Sequence, residues 1–516
     1  MKTDVLIIGG GLTGICAAYE IIKNSDLRVD LLQWGGGASP YIHGFCLPVG
    51  EGDSEELFFA DSMASGYGQC RGSLVRCLCR ESVTLPEYFR ELGLDIDREN
   101  GNPRLVKSLG STVPRIAGIG NGTGAVMLNT LRKKLTDSDR YREHRNYRAL
   151  ELVKTGERVT GVRCYDQTTD SFCTLSAAVV ILAAGGFGRL YPESTNSRDI
   201  GGDGCAMAYL AGGKMTDMEF IQFEPSAAVW PEALAGKSII TTMFYEGAVL
   251  RNGYGDRFML RSQPQGECVP KDVLAKEISR EILRGNSTPH GGVWFDATAV
   301  PKTMLEGIYK PYRDRYLAHG IDLMEQPVEI APAAHTTCGG VLIDEACRTG
   351  IPGLLACGEV TGGLHGANRL GGNAGLETMV FGRIAGQTAL QEWMETEELQ
   401  ESVEANRPAD VDVLAIRQSL QQILRRDLGI LRTEDRLQAG LAETKRLMEA
   451  LGDHKGCYEK HRLYNDLLTT RIAFTSALHR KDSVGCHFRE DAVEETPGRV
   501  IVQNNAGQMT ALREEI

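Results

Sequence analysis

The residues that first announce a chemistry lie at the start of the chain, in Gly9-Gly10-Gly11-Leu12-Thr13-Gly14. This is G-x-G-x-x-G, preceded by the apolar run Asp4-Val5-Leu6-Ile7-Ile8 and followed by a helical pattern from Ile15 to Lys23. In that strand–turn–helix setting the glycines serve a dinucleotide. Gly9 permits the tight turn, Gly11 lets backbone approach a pyrophosphate, and Gly14 lets helix and strand pack closely. Leu12 and Thr13 open the helix, whose unpaired N–H groups face the phosphates. The next strand, Val29-Asp30-Leu31-Leu32-Gln33, ends on Gln33 where a ribose-binding acid is expected. An amide still hydrogen-bonds a hydroxyl. The loop that follows, with Gly37, Ala38 and Ser39, is expected to pass close to the cofactor.

A second cluster, Ala183-Ala184-Gly185-Gly186-Phe187-Gly188, follows the buried strand Val179–Leu182. Gly201-Gly202-Asp203-Gly204 then leads into an alanine-rich helix, Cys205 to Ala211. Two glycine-rich turns separated by a long insertion suit a cofactor larger than a mononucleotide. Asp203 is a candidate contact to it, with Ala184, Gly185 and Gly186.

These groups need more than one core to hold them. The 516 residues predict two or three domains, and the 42% hydrophobic content is that of a globular protein. The net charge of -12 argues against nucleic acid as a partner. Fourteen scattered cysteines and an opening strand without an export signal predict free thiols in a reducing cytoplasm. Cys77 and Cys79 fall two apart in a helix expected over Ser73–Leu92, so they point to different faces. No run has iron–sulfur or haem spacing, so no metal is expected. No apolar stretch is long enough to span a bilayer. From Val411 to Leu451 apolar residues recur at helical spacing.

The richest stretch runs from Ala331 to Gly386. It contains His335-Thr336-Thr337-Cys338-Gly339-Gly340, then Ile351-Pro352-Gly353-Leu354-Leu355-Ala356-Cys357-Gly358-Glu359. His365-Gly366-Ala367-Asn368-Arg369-Leu370-Gly371-Gly372-Asn373 follows, and a helix from Leu376 to Gln387 closes it. This stretch resembles the flavoprotein subunits of succinate dehydrogenase and fumarate reductase and the related L-aspartate oxidases. Asp217–Phe223 and Arg480–Arg489 resemble two more of the family's motifs, the second a helical C-terminal one, so the likeness spans nearly the whole chain.

The resemblance implies FAD on an α/β, Rossmann-like domain, interrupted by an inserted α+β cap and followed by a helical domain. The divisions fall at about 1–225 and 331–404 for the FAD domain, 226–330 for the cap and 405–516 for the helical end. Glu359 resembles an acid that binds the FAD ribose. The helix start around Asn373, Gly375, Leu376 and Glu377 would face the flavin pyrimidine edge, where negative charge builds on reduction. Arg369 would grip a substrate carboxylate by two parallel hydrogen bonds, and His335 would add another. His365 also matches, either as a substrate contact or as loop support.

Three departures from the family pattern carry information. Glu224 stands where a substrate-binding histidine is expected, in Phe223-Glu224-Pro225-Ser226. Lys271 stands where the family has the arginine proposed to move the proton at the substrate carbon. Lysine can do the same acid–base work, and Glu224 and Lys271 are placed to form an ion pair. A carboxylate at 224 would repel a second substrate carboxylate, so the two changes admit a monocarboxylate, or an amine-bearing or otherwise polar acid. Ala38 stands where membrane-bound relatives carry the flavin-linking histidine, and His43 lies too far on to replace it, so the FAD is expected to be non-covalent.

The expected activity is hydride exchange between the flavin N5 and a small, α,β-unsaturated carboxylate, as in fumarate reductase. An amino-acid oxidase of the L-aspartate oxidase type is the alternative, with Glu224 as an amine partner. A flavoprotein electron-transfer subunit of a larger complex is the third reading. Because the chain lacks iron–sulfur or haem ligands of its own, its electrons are expected to pass to or from the substrate, a diffusible donor or a partner protein of iron–sulfur or flavin type.

Overall fold

The computed structural model describes residues 2–120, 122–400, 402–493 and 498–515. The first strand, Lys2–Ile8, is aliphatic on both faces, and Val5, Leu6 and Ile7 are fully buried. A strand covered on both sides belongs inside a parallel sheet. It pairs in parallel with Val29–Gln33 on one side and with Ser171–Leu182 on the other. Tyr141–Arg145 extends the sheet beyond Val29–Gln33. Leu354–Ala356 adds in parallel to the end of Ser171–Leu182.

The strand Ser171–Leu182 serves two sheets' worth of pairing. Its start runs antiparallel to Arg158–Asp166, which in turn pairs with Tyr147–Thr155. Its end delivers Ala183–Gly186 to the same edge as Gly9, because Ile8 and Leu182 are register partners. That pairing is why two glycine turns about 170 residues apart in sequence meet (Gly9 and Gly185).

Helix Leu12–Asn24 lies against helix Asn373–Glu392. Their contact depends on two glycines. A Cβ at Gly382 would stand 2.7 Å from the Thr13 carbonyl oxygen, and one at Gly386 would stand 2.7 Å from that of Ala17. The second helix is thereby held with its first turn over the cofactor edge of the sheet.

The inserted segment has its own sheet, in the order Ile221–Ala228, Val328–Thr337, Val293–Asp296 and Val249–Arg251. It also has its own apolar core, around Leu250, Phe295, Met243, Ile278 and Tyr316. Helix Lys271–Leu283 buries Leu274 and Ile278 in that core, which fixes where its first residue, Lys271, can reach.

Two expectations are corrected. The helix expected over Ser73–Leu92 is two helices, Gly72–Ser82 and Leu85–Glu91. Pro86 has no N–H to give and fits only in a first turn, so a new helix starts there. The C-terminal helical domain is present, and beyond its helices it carries strands as well. Helices Val413–Asp427, Glu434–Leu451 and Tyr458–His479 are followed by a hairpin, Arg499–Asn505 with Gln508–Glu514. It joins the sheet containing Met215–Thr216 and Gly340–Leu342. Arg480–Arg489, expected to be helical, lies beyond the last helix. Its Arg480 side chain turns inward to the buried Glu219, and the Arg480 carbonyl accepts from Arg489, contacts that an outward helical turn would forbid.

Candidate active site

A cavity of about 2060 Å³ runs from the first glycine turn to the base of the inserted segment. Gly9, Gly11, Thr13, Gln33, Gly37, Ala38 and Ser39 line one end of it, with Ala184, Gly185 and Asp203 opposite. Glu359, Arg369 and Gly375 line the middle, and Glu224, Lys271 and His335 the far end.

The near end is shaped for backbone approach. Gly9 has φ +117°, and a Cβ there would stand 2.2 Å from the Ala183 carbonyl oxygen. A Cβ at Gly14 would stand 2.0 Å from the Gly9 carbonyl oxygen. The Leu12 N–H already donates to Ser39 Oγ at 2.7 Å, so the turn and the Gly35–Ser39 loop are tied together. Gln33 is engaged at both ends of its amide. Nε2 donates to Gly35 O at 2.8 Å, and Oε1 accepts from Arg132 at 2.7 Å. Arg132, which also donates to Gly10 O at 2.9 Å, gave no sequence signal. Both oxygens of Asp203 are likewise taken, by Arg148 and by Asn465 Nδ2 at 3.1 Å, so at the cavity wall Asp203 offers its backbone rather than its carboxylate.

Glu359 stands at the middle of the wall. Its Oε1 accepts from the Thr337 N–H at 3.0 Å. Burial, reinforced by the nearby Glu377 charge, pushes its carboxyl up to about 7. A half-buried acid with so little protein support, lining a cavity beside two glycine turns, fits a ligand hydroxyl. The arrangement fits FAD: backbone N–H groups for a pyrophosphate, Glu359 for a sugar or ribityl hydroxyl, and the first turn of Asn373–Glu392 at the cavity wall for the flavin ring.

Several predicted cofactor residues stand behind the wall rather than on it. Leu12, Gly14, Gly186, Asn373 and Leu376 do not line the cavity. Gly186 makes room for Glu359, since a Cβ there would stand 2.5 Å from Glu359 Oε1. Asn373 Nδ2 donates to Ser62 Oγ at 3.1 Å, and Leu376 is fully buried in the core. His365 is also behind the wall, its Nε2 3.0 Å from Glu377 Oε2.

At the far end, Lys271 donates to Glu224 Oε2, and Ser226 Oγ lies 2.9 Å from Glu224 Oε1. Burial alone would raise the Glu224 carboxyl, but Lys271, His335 and Ser226 outweigh it and hold it below the usual carboxylate range. His335 Nε2 lies 3.9 Å from Glu224 Oε2. Its Nδ1 is 2.7 Å from Thr195 Oγ1. Burial pulls the imidazole down to about 3, with Lys271 and Arg369 adding to the shift and Glu224 opposing it, which favours the neutral ring in a side chain that keeps 29% of its surface exposed. Arg369 is buried. Its Nε makes no hydrogen bond, and only one weak contact, 3.3 Å to Leu370 O, holds the guanidinium. A buried, unsatisfied guanidinium on a cavity wall is set for an anion.

Sequence reasoning missed His43, Thr195, Arg315 and Tyr67 as site residues. His43 lines the cavity with its ring 6.3 Å from that of Tyr312. Tyr67 Oη donates to Asp272 Oδ2 at 2.7 Å, next to Lys271. None belongs to a local motif. Among the described residues there is no cluster of His, Cys, Asp and Glu suited to a metal, and no helix is long and apolar enough to cross a membrane.

Comparison with known proteins agrees with this geometry. The FAD binding domain family model matches residues 4–374, and the fumarate reductase flavoprotein C-terminal model matches residues 417–506. One subunit of the fumarate reductase (CoM/CoB) from Methanothermobacter marburgensis is 34% identical, over 96% of this chain and 95% of its own length. An L-aspartate oxidase of Pseudomonas aeruginosa is 31% identical, over 95% of each chain. Among solved structures, a mutated FrdA chain of E. coli quinol fumarate reductase superposes with a TM-score of 0.89 at 25% identity, covering 100% of this chain and 97% of that one.

Proposed function

We propose a function from a single premise: this chain belongs to the fumarate reductase and succinate dehydrogenase flavoprotein family, and is an FAD-dependent oxidoreductase. The reading we favour is reduction of a small α,β-unsaturated carboxylate. Bound FAD supplies the hydride acceptor or donor. The chain's own side chains then have three tasks. Arg369, whose Nε has no hydrogen bond and which makes no ion pair among the described residues, holds a substrate carboxylate. His335, in the neutral form that its surroundings favour, adds a hydrogen bond to the same end of the substrate. Holding that carboxylate draws electron density from the double bond, and Lys271 delivers a proton to the carbon that does not receive hydride. The observation that carries this reading is that Arg369, His335 and Lys271 line one cavity with Glu359.

The test is anaerobic. Photoreduced protein is mixed with fumarate and other enoates, and the return of oxidised-flavin absorbance is followed. Rapid reoxidation by an enoate is expected; no reoxidation by any of them, with flavin still bound, would refute the reading.

Oxidation of an amino acid is the second reading, and the 31% identical L-aspartate oxidase favours it. An ammonium group would reach Glu224 only by displacing Lys271. Peroxide formed in air with amino acids would select it. If the chain serves electron transfer within a larger complex instead, an iron–sulfur or flavin protein is the expected partner and would co-purify with it. The reading also includes non-covalent FAD, since Ala38 carries no linking nitrogen, a cytoplasmic location, and the cap at about 226–330, which its separate apolar core supports.

A further inference from the structure

Glu224 alone would repel a second carboxylate, but it is not alone. Lys271 is its partner, so the pair adds no net charge to the far end of the cavity. Among the described residues, four arginines that line the cavity make no ion pair, Arg189, Arg198, Arg315 and Arg369. Arg315, on the cap helix Lys310–Leu317, is the one whose anchor lies beside Glu224. Its NH1 donates to the Ser238 carbonyl at 2.9 Å, and among the described residues it has no ion pair.

That anchor sets where Arg315 points. Ser238 precedes Ile239, whose carbonyl is 2.7 Å from Ser226 Oγ, the hydroxyl that also meets Glu224. The Arg315 guanidinium lies 5.6 Å from the centre of the Tyr312 ring, which faces His43. Arg315 and Lys271 both act electrostatically on His43, and Lys271 and Arg369 both act on His335. Arg315 is thereby tied to the neighbourhood of Glu224 through Ser238, Ile239 and Ser226.

We infer that Arg315 is a specificity-determining residue that holds a second anionic group of the substrate, opposite the carboxylate held by Arg369. The task that a histidine at position 224 would perform has moved to the cap, to a residue type that binds carboxylate by two parallel hydrogen bonds. Guanidiniums without an ion pair at both Arg369 and Arg315, with Glu224 neutralised by Lys271, favour a dianion over a monoanion, because a monoanion leaves one of the two cations unmatched. This inference rests on the carboxylate-reducing reading for its chemistry, but its binding arm is independent of turnover.

The experiment uses the FAD-loaded protein, with Arg315→Met and Arg315→Lys beside the wild type. Two readouts are taken: the flavin difference spectrum on adding succinate or butyrate, and reoxidation of reduced flavin by fumarate or crotonate. Arg315→Met is expected to weaken succinate binding and raise the half-saturating fumarate concentration by about 100-fold. It should leave butyrate and crotonate within about threefold, and Arg315→Lys should recover part of the loss. Equal succinate binding in wild type and Arg315→Met, or equal losses for mono- and dianions, overturns the inference. If no enoate reoxidises the flavin while succinate binding still depends on Arg315, the chemistry proposed above fails and the anchor stands.

Discussion

Lys271 donates to Glu224 across 47 residues of sequence, from the first turn of the cap helix to the strand Ile221–Ala228. Glu224 is almost wholly buried, and Lys271 keeps 18% of its side chain exposed, on the cavity side. Glu224 is closed in by its surroundings, and Lys271 is the more open of the two toward the cavity.

Replacing Lys271 with Met should therefore separate two effects. Turnover with an enoate is expected to fall by about 10²–10⁴-fold, the usual worth of a positioned proton donor. FAD should remain bound, because no cofactor contact is lost. Glu224 would be left as a buried acid without its partner, so the melting temperature should drop too. The double variant Glu224→Gln, Lys271→Met should regain stability but not turnover. Turnover retained in Lys271→Met removes Lys271 from the mechanism.

Glu359 predicts the pH dependence of cofactor binding. Its folded carboxyl, raised to about 7 by burial with Glu377 adding and Arg369 opposing, holds a proton that the unfolded chain releases near 4.5. In the FAD-free protein this acid therefore favours the folded state at low pH, and that contribution is lost as pH rises through about 7. A cofactor hydroxyl that donates to the carboxylate requires the proton to leave. FAD affinity is expected to rise with pH up to about 7 and level off above it. Titrating flavin quenching from pH 5.5 to 8.5 checks this, and Glu359→Gln should flatten the profile.

How much of this was legible in the sequence depends on the distance over which each residue finds its partner. Gly9, Gly11 and Gly14 were readable because strand, turn and helix are consecutive. Arg369 and His335 were readable only through resemblance, since nothing local marks a guanidinium as unpaired. Gln33 was singled out for its position, yet what occupies its amide is Arg132, 99 residues away. His365 had two open roles from its motif, and Glu377, on the next helix, is its partner. Arg315 lies in a helix with no motif at all, and only the folded cap places it in the cavity. The C-terminal hairpin went unforeseen because its strand partner, Met215–Thr216, lies nearly 300 residues earlier.

The glycine turn gives a prediction with a steric cause. Gly14→Ala would place a Cβ 2.0 Å from the Gly9 carbonyl oxygen, a backbone atom that cannot rotate away. Helix Leu12–Asn24 must shift, and with it the N–H groups aimed at the pyrophosphate. Loss of FAD on gel filtration and a lower melting temperature are expected. Gly36→Ala, where no atom lies within 4 Å of the new Cβ, should leave both unchanged.

Tyr67 ties the flavin-binding part of the chain to the cap at the point where alignment matters most. It sits in the turn after helix Glu55–Ser65 at φ +56°, a backbone region that a tyrosine rarely adopts. Its hydroxyl donates to Asp272, next to Lys271 and in the first turn of the same helix. Asp272 is half-buried, and its partial burial raises its carboxyl despite that hydrogen bond. Tyr67→Phe removes one hydrogen bond and keeps the ring. The loss of about 1 kcal/mol at the clasp corresponds to roughly a fivefold shift toward an open cap. Turnover should fall by about that factor, while FAD affinity stays constant because Tyr67 does not line the cavity. Tyr67→Phe with unchanged turnover, or with a parallel loss of FAD, would mean that the hydrogen bond does not align Lys271.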